Sequence, residues 1–169
     1  DQDHISDIKA IRDYFTVGRL AVNPTVTPEA LRNIKIKGGP ISDQMHILIN
    51  SMADPTLNSI EHVPHTMENV SMEFYCVYYP HETDTNNLSL VTFLQFGTSF
   101  IIYPGDLEVS GWEKLLTVPD FVEKLRNVNV FIASHHGRIN GYCEDVFNFC
   151  TPEIVIVSDQ ERTFSTQEH

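Results

Sequence analysis

Residues 88–103, LSLVTFLQFGTSFIIY, carry two β-rich runs on either side of a glycine. Leu88–Gln95 and Ser99–Tyr103 are dense in β-branched and aromatic side chains, and Gly97 supplies the turn between them. The stretch therefore reads as a β-hairpin. Upstream, EFYCVYY (73–79) is a further strand, ended by Pro80 and followed by the polar loop HETDTNN. Downstream, WEKLL (112–116) and VPDFVEKLRN (118–127) have helical spacing. VNVFIA (128–133) reads as a buried strand, GYCEDVFNFC (141–150) as a helix and EIVIVS (153–158) as the last strand.

The first third of the chain reads as helices. ISDIKAIRDYF (5–15) places Ile5, Ile8, Ile11 and Phe15 on one amphipathic face. Thr27 and Pro28 open a second helix, as cap and first-turn proline, and Gly38-Gly39-Pro40 stops it. Ser42 caps a third over 42–52. Helices precede strands early and alternate with them late, which is the order of a layered α/β fold with helices packed on sheet faces. A chain of 169 residues suits one domain spanning 1–169.

Composition narrows the class. Hydrophobic content of 41% and charged content of 20% are those of a soluble globular chain. No run of 18 apolar residues is present to span a membrane, and the N-terminal DQDHISDIKA has no leader character, so the expected location is cytoplasmic. Cys76, Cys143 and Cys150 lack CxxC spacing and read as buried free thiols of a reducing compartment, with Cys143 and Cys150 on one helix face. Net charge is −12, and residues 38–169 set five bases against 18 acids. Such a surface repels long polyanions unless bound divalent metal cancels part of it.

Three short motifs have metal-site chemistry. Asp1-Gln2-Asp3-His4 precedes a helix, Pro104-Gly105-Asp106 follows a strand, and His135-His136-Gly137 follows another. Carboxylates and neutral imidazoles suit zinc, manganese or iron, and strand ends are where α/β enzymes carry functional groups. Singly, each has an ordinary reading: Asp3 as a helix cap, PGD as a turn, a strand-end histidine as a surface group. His46, His62, His65 and His81 have no ligand spacing and read as exposed loop histidines. Arg138 has two open readings, a phosphate clamp or a partner for an acid such as Glu144.

The order of DQDH at 1–4, NNLSLV at 86–91, GD at 105–106 and HHG at 135–137 resembles the metallo-β-lactamase superfamily of metal-dependent hydrolases. The branch it is most similar to contains the hydrolase domain of the DNA-uptake protein ComEC, where HPDxDH replaces HxHxDH. The resemblance runs to about Asp159. It implies an αββα sandwich, N-terminally incomplete here because the motif's first histidine would stand two residues before Asp1. It also implies two divalent metal ions, zinc or manganese, with Asp1, Asp3, His4, Asp106 and His136 as ligands. Asp1 stands where the motif has a histidine, a harder ligand that favours manganese or magnesium.

By the same resemblance Asp3 orients a metal-bridging water and takes its proton, while His135 contacts substrate phosphate or protonates the leaving oxygen. Asn86 and Asn87 fall where relatives supply another histidine and, with Arg138, are assigned to substrate. The implied activity is that of a phosphodiesterase or nuclease-like hydrolase, with a phosphoester or nucleic acid as partner. Two alternatives stand beside it. One is a hydrolase of small phosphoesters or carboxylic esters, which the acidic surface would tolerate better. The other is a metal-free binding module, suggested by the missing histidines at Asp1 and at Asn86 and Asn87.

Overall fold

The computed structural model describes residues 4–57, 66–67, 69–159, 161 and 165–167. The single domain expected over 1–169 divides into two compact units, Asp1–Val63 and Pro64–His169.

The N-terminal unit is helical, with α1 (Ile8–Tyr14), α2 (Pro28–Ile36) and α3 (Asp43–Ala53). The caps are those the sequence predicts. Thr27 Oγ1 accepts from the Ala30 N–H at 3.1 Å and Ser42 Oγ from the Met45 N–H at 3.2 Å. Pro28 occupies a position where no N–H is required. α1 differs from its expectation. It spans only seven residues, and its predicted apolar stripe is open, with Ile11 48% and Phe15 69% exposed. A helix this short has little stability of its own. Arg12 ties it to α3 by donating to Ser51 Oγ at 2.7 Å.

The C-terminal unit is a six-stranded mixed sheet in the order β1 (Thr66–Met67), β2 (Val70–Tyr75), β3 (Val91–Phe96), β4 (Ser99–Tyr103), β5 (Val130–Ile132) and β6 (Ile154–Ile156). β1 to β4 are antiparallel neighbours, and β5 and β6 join in parallel. The β3–β4 hairpin turns at Gly97 as predicted, with φ +58°. β2 runs from Val70 to Tyr75 rather than over 73–79. Its last pairing is Tyr75 with Val91, where β3 begins, so no partner continues the ladder.

Side-chain alternation places Phe93, Ile102 and Phe131 side by side on one face. Against them lie Trp112 and Leu115 of α4 (Val109–Leu115) and Phe121 and Leu125 of α5 (Pro119–Leu125), all buried. Edge-to-face ring pairs lock this layer: Phe93–Phe121 at 5.4 Å and Tyr75–Phe93 at 5.6 Å between centroids. The opposite face carries Leu94, Ile101, Val130 and Ile154 in register. The sheet is thus apolar on both faces, the pattern of a sheet built to lie between layers.

The helix predicted over 141–150 is instead a pair of 3₁₀ turns, Ile139–Gly141 and Glu144–Asn148. The cause is local. Gly141 O accepts the indole N–H of Trp112 at 3.1 Å, and Tyr142 and Cys143 between the turns are extended. Cys143 and Cys150 are buried free thiols, and Cys76 is half-buried. Among the described residues no helix is long and apolar enough to cross a membrane.

Candidate metal centre

The three parallel strands β4, β5 and β6 end at one edge of the sheet, and each delivers a loop there. Open α/β sheets place ligands at such carboxyl ends. After β4 comes Pro104-Gly105-Asp106, after β5 the turn Ser134–Gly137, and after β6 Ser158. The loops are laced by main-chain bonds. His135 N–H donates to Gly105 O at 3.0 Å, and Ala133 N–H to Ile156 O at 2.8 Å. Ser134 Oγ donates to Leu107 O.

The NNLSLV segment holds the Asp106 loop from behind. Ser89 Oγ accepts the Asp106 N–H at 3.1 Å. Gly105 has φ +64°, and a Cβ there would meet Ser89 Oγ at 3.0 Å and Ser89 Cβ at 3.1 Å, so this turn requires glycine. Asn87 is buried, and its Oδ1 accepts from the N–H groups of Glu108 at 3.1 Å and Gly111 at 3.0 Å. α4 has no capping side chain of its own, so Asn87 caps it from a loop more than twenty residues away. The sequence assigns Asn87 to substrate; the structure gives its amide oxygen a cap to form instead.

His135 and His136 both adopt left-handed backbone, at φ +48° and +61°. For residues with a Cβ this costs about 1–2 kcal/mol each. Such strain persists only where surrounding structure fixes it, and it concentrates at functional sites. The turn aims the two rings differently. His136 Nδ1 lies 2.8 Å from Ser158 O. A carbonyl oxygen only accepts, so Nδ1 carries a proton; in the neutral ring Nε2 then has its lone pair toward Asp106 Oδ1, 3.6 Å away. Asp106 is buried, with 5% exposure.

His135 turns inward. Its Nε2 lies 3.2 Å from Arg138 Nη1, and guanidinium only donates, so Nε2 is the acceptor. The proton then sits on Nδ1, 3.3 Å from Glu108 Oε1. Burial holds this imidazole below the usual histidine range, reinforced by Arg138 and His136 and opposed by Asp106 and Glu108. Glu108 Oε1 accepts hydrogen bonds from Asn86 Nδ2 at 3.0 Å and Asn140 Nδ2 at 2.6 Å. His135 is 8% exposed, and both ring nitrogens face protein groups. Its Nε2 lies against Arg138, and its Nδ1 lies on the Glu108 side. Arg138 itself is buried and lies against His135, a third neighbour beside the two readings the sequence leaves open.

The C-terminal unit therefore gathers Asp106, His135, His136, Arg138, Asn86 and Asn87 at or directly behind one sheet edge. His4 belongs to the N-terminal unit, exposed in the turn before α1. Asp1 and Asp3 lie outside the described residues, as do His62 and His65. His81 is exposed as expected, and His46 is exposed on α3 rather than on a loop. Three contributors escape the motif reading: Glu108, Asn140 and the main-chain carbonyl of Ser158. Ser89 lies inside NNLSLV but is given no role there, and of the other three only Ser158 carries a sequence signal, its position at the end of a strand. Compared with family profiles, curated proteins and solved structures, the chain matches none of them.

Proposed function

We propose that the protein is a metal-dependent hydrolase of phosphoesters on a metallo-β-lactamase-like sandwich. One observation carries the reading: His136 Nε2 and Asp106 Oδ1 stand 3.6 Å apart at the carboxyl ends of parallel strands. Both offer lone pairs once Ser158 O fixes the proton on Nδ1. Two ligands bonded at 2.0–2.2 Å to one tetrahedral ion stand about 3.3–3.6 Å apart. A ligand histidine whose other nitrogen donates to a main-chain carbonyl is the usual outer arrangement of a metal site. The donor set, imidazole plus carboxylate, fits zinc or manganese. The apolar second face of the sheet supports the sandwich.

A bound divalent ion supplies Lewis acidity and a water ionised near neutral pH. The chain's own part is positioning. Asp106 is held by Ser89 and by the Gly105 turn, and His136 by Ser158. Glu108, Asn86 and Asn140 brace His135, which keeps Arg138 in place. The ligand roles that the resemblance implies for Asp1, Asp3 and His4 belong to the same proposal. So do the second metal ion and the role of Asp3 as proton acceptor.

The test is hydrolysis of bis(p-nitrophenyl) phosphate and of single-stranded DNA by manganese-loaded protein, with calorimetric metal titration alongside. D106N and H136A are expected to lower both kcat/KM and metal affinity by about a hundredfold or more, since even outer-shell losses reach that size. Wild-type values in both variants would end the reading. The five bases against 18 acids in residues 38–169 favour small esters over long nucleic acid within this class. A DNA substrate would show steeply salt-dependent turnover, and a small ester would not.

A further inference from the structure

Strand β6 closes one edge of the sheet in the C-terminal unit. Its register with β5 sets Val130 beside Ile154 and Ile132 beside Ile156. Ile154 N–H donates to Asn129 O at 3.1 Å, and Ile156 O accepts from Ala133 N–H at 2.8 Å. Main-chain groups alternate in direction along a strand, so the N–H and C=O of Val155, and of Val157 after it, point away from β5. Among the described residues no strand pairs with that side. Edges of this kind are commonly blunted by lysine, proline or a bulge. The run 153–158, EIVIVS, has no lysine, proline or glycine, and Ile154, Val155, Ile156 and Val157 are all about half exposed.

A cavity of about 320 Å³ opens beside this edge. Trp112, Phe131 and Val146 make its buried apolar floor, and the half-exposed Val155, Val157 and Tyr142 make its mouth. We infer that β6 takes up an extended segment of a partner protein as an added strand, with an aromatic side chain of that segment seated in the cavity. Added strands bind through main-chain bonds, and pockets beside alternate residues give them specificity. Val155 and Val157 serve both needs, because they turn main-chain groups outward and also line the cavity. Size selects the aromatic. A cavity of about 150 Å³ holds benzene, so this one takes an indole ring. Polar groups of the lining are committed elsewhere: Trp112 Nε1 donates to Gly141 O at 3.1 Å, and Ser134 Oγ donates to Leu107 O. An apolar guest therefore fits. Charge selects the flanks. Glu153 and Asp159 bracket the strand and are exposed, which favours basic residues on either side of the docked run. A second copy of β6 fits less well. It would bring acidic ends together, and EIVIVS has no ring to offer the cavity. The edge uses neither Asp106 nor His136, so it can be tested on protein free of metal.

The probe is the peptide acetyl-KTVWVTK-amide, titrated by calorimetry into the full chain. Saturable one-to-one binding is expected. Alanine in place of the peptide's tryptophan should weaken binding by about thirtyfold or more, the size of an interface hot spot. Acetyl-ETVWVTE-amide should bind more weakly than the lysine peptide by about tenfold, because its ends meet like charge. N-methyl groups separate strand addition from plain apolar adhesion. In an added strand alternate N–H groups face β6, so N-methylating the tryptophan and N-methylating the two valines should differ. One of the two abolishes binding and the other leaves it near that of the parent peptide. Val155→Pro removes an outward N–H and leaves the β5 ladder on Ile154 and Ile156, so it should weaken binding by about tenfold. Lack of saturable binding, an alanine peptide as tight as the parent, or equal binding by the two N-methyl peptides would overturn the assignment even if V155P fails to fold. So would a dimer in sedimentation that excludes the peptide, which would give the edge to a second copy.

Discussion

Asn87→Ala is the sharpest test of how the site is supported. The side-chain oxygen accepts two N–H groups, from Glu108 at 3.1 Å and Gly111 at 3.0 Å, and Asn87 and Gly111 are both buried. Truncation leaves both donors without that acceptor. A buried donor that loses its partner costs about 1–3 kcal/mol, and loss of a helix cap costs about 0.5–2 kcal/mol. Because the cap and the lost donors are the same bonds, they are counted once, giving about 2–6 kcal/mol for the two donors. Trp112 sits beside Gly111, is 1% exposed and is the chain's one tryptophan, so its emission reports unfolding of this unit alone. With a urea m-value of about 1–3 kcal/mol per M, a 3 kcal/mol loss moves the midpoint down by about 1–3 M. Asn87→Asp keeps an acceptor at a helix N-terminus and should stay within about 1 kcal/mol of wild type. An unmoved midpoint for N87A would refute the cap. So would equal losses in N87A and N87D, because the oxygen would then not be the group that matters.

Three further outcomes follow from the same geometry. Gly105→Ala places a Cβ 3.0 Å from Ser89 Oγ at φ +64°, so it should cost about 1–2 kcal/mol, read by urea melts, and under the proposed function it should also weaken any manganese binding seen in wild type by shifting Asp106, read by calorimetry. Burial pushes the Cys150 thiol up to about 11 from an ordinary 9.0, so Cys150 should not react with a disulfide reagent at pH 8 until denaturant is added. The sign of the linked stability is fixed by that rise. The unfolded chain loses the proton first, so this group's contribution falls as pH climbs from about 9 toward 11, visible as a declining urea midpoint. Glu73→Gln should change stability by less than about 1 kcal/mol, because its ion pair with Lys124 is exposed on both sides.

The sequence is most legible where period and punctuation agree. The β3–β4 hairpin, the caps at Thr27 and Ser42 and the strand ends before Gly105 and Ser134 depend on near neighbours, and those are written in order along the chain. Residues 141–150 have an apolar spacing that suits a helix, yet Gly141 O is bonded to a tryptophan almost thirty residues away. Tertiary bonding of that kind overrides local spacing and leaves no local trace. The same limit governs the site. Asp106 and His136 are visible as residue types at strand ends, whereas Glu108 meets His135 only in the folded chain, through the left-handed turn. Asn87 gains its capping role in the same way, because the two main-chain donors on its oxygen come from residues more than twenty positions away.

Those displaced roles share one physical purpose. Two adjacent left-handed histidines are costly, so the turn holding them must be fixed from several sides. His135 N–H is held by Gly105 O, and Ser134 Oγ by Leu107 O. Asn87 anchors Glu108, which also takes Asn86 and Asn140. On this account NNLSLV is a brace, and its spacing to GD is set by the bonds from Ser89 and Asn87 rather than by contact with a ligand. His136 is the exception, because its tautomer depends on Ser158 O at the end of β6, whose residues Ile154, Val155 and Ile156 are 54%, 53% and 44% exposed. A three-residue edge strand with so little burial is where a sheet opens first. The orientation of His136 Nε2 is therefore tied to an exposed three-residue edge strand, while the Asp106 carboxylate opposite it lies in a buried loop, 5% exposed.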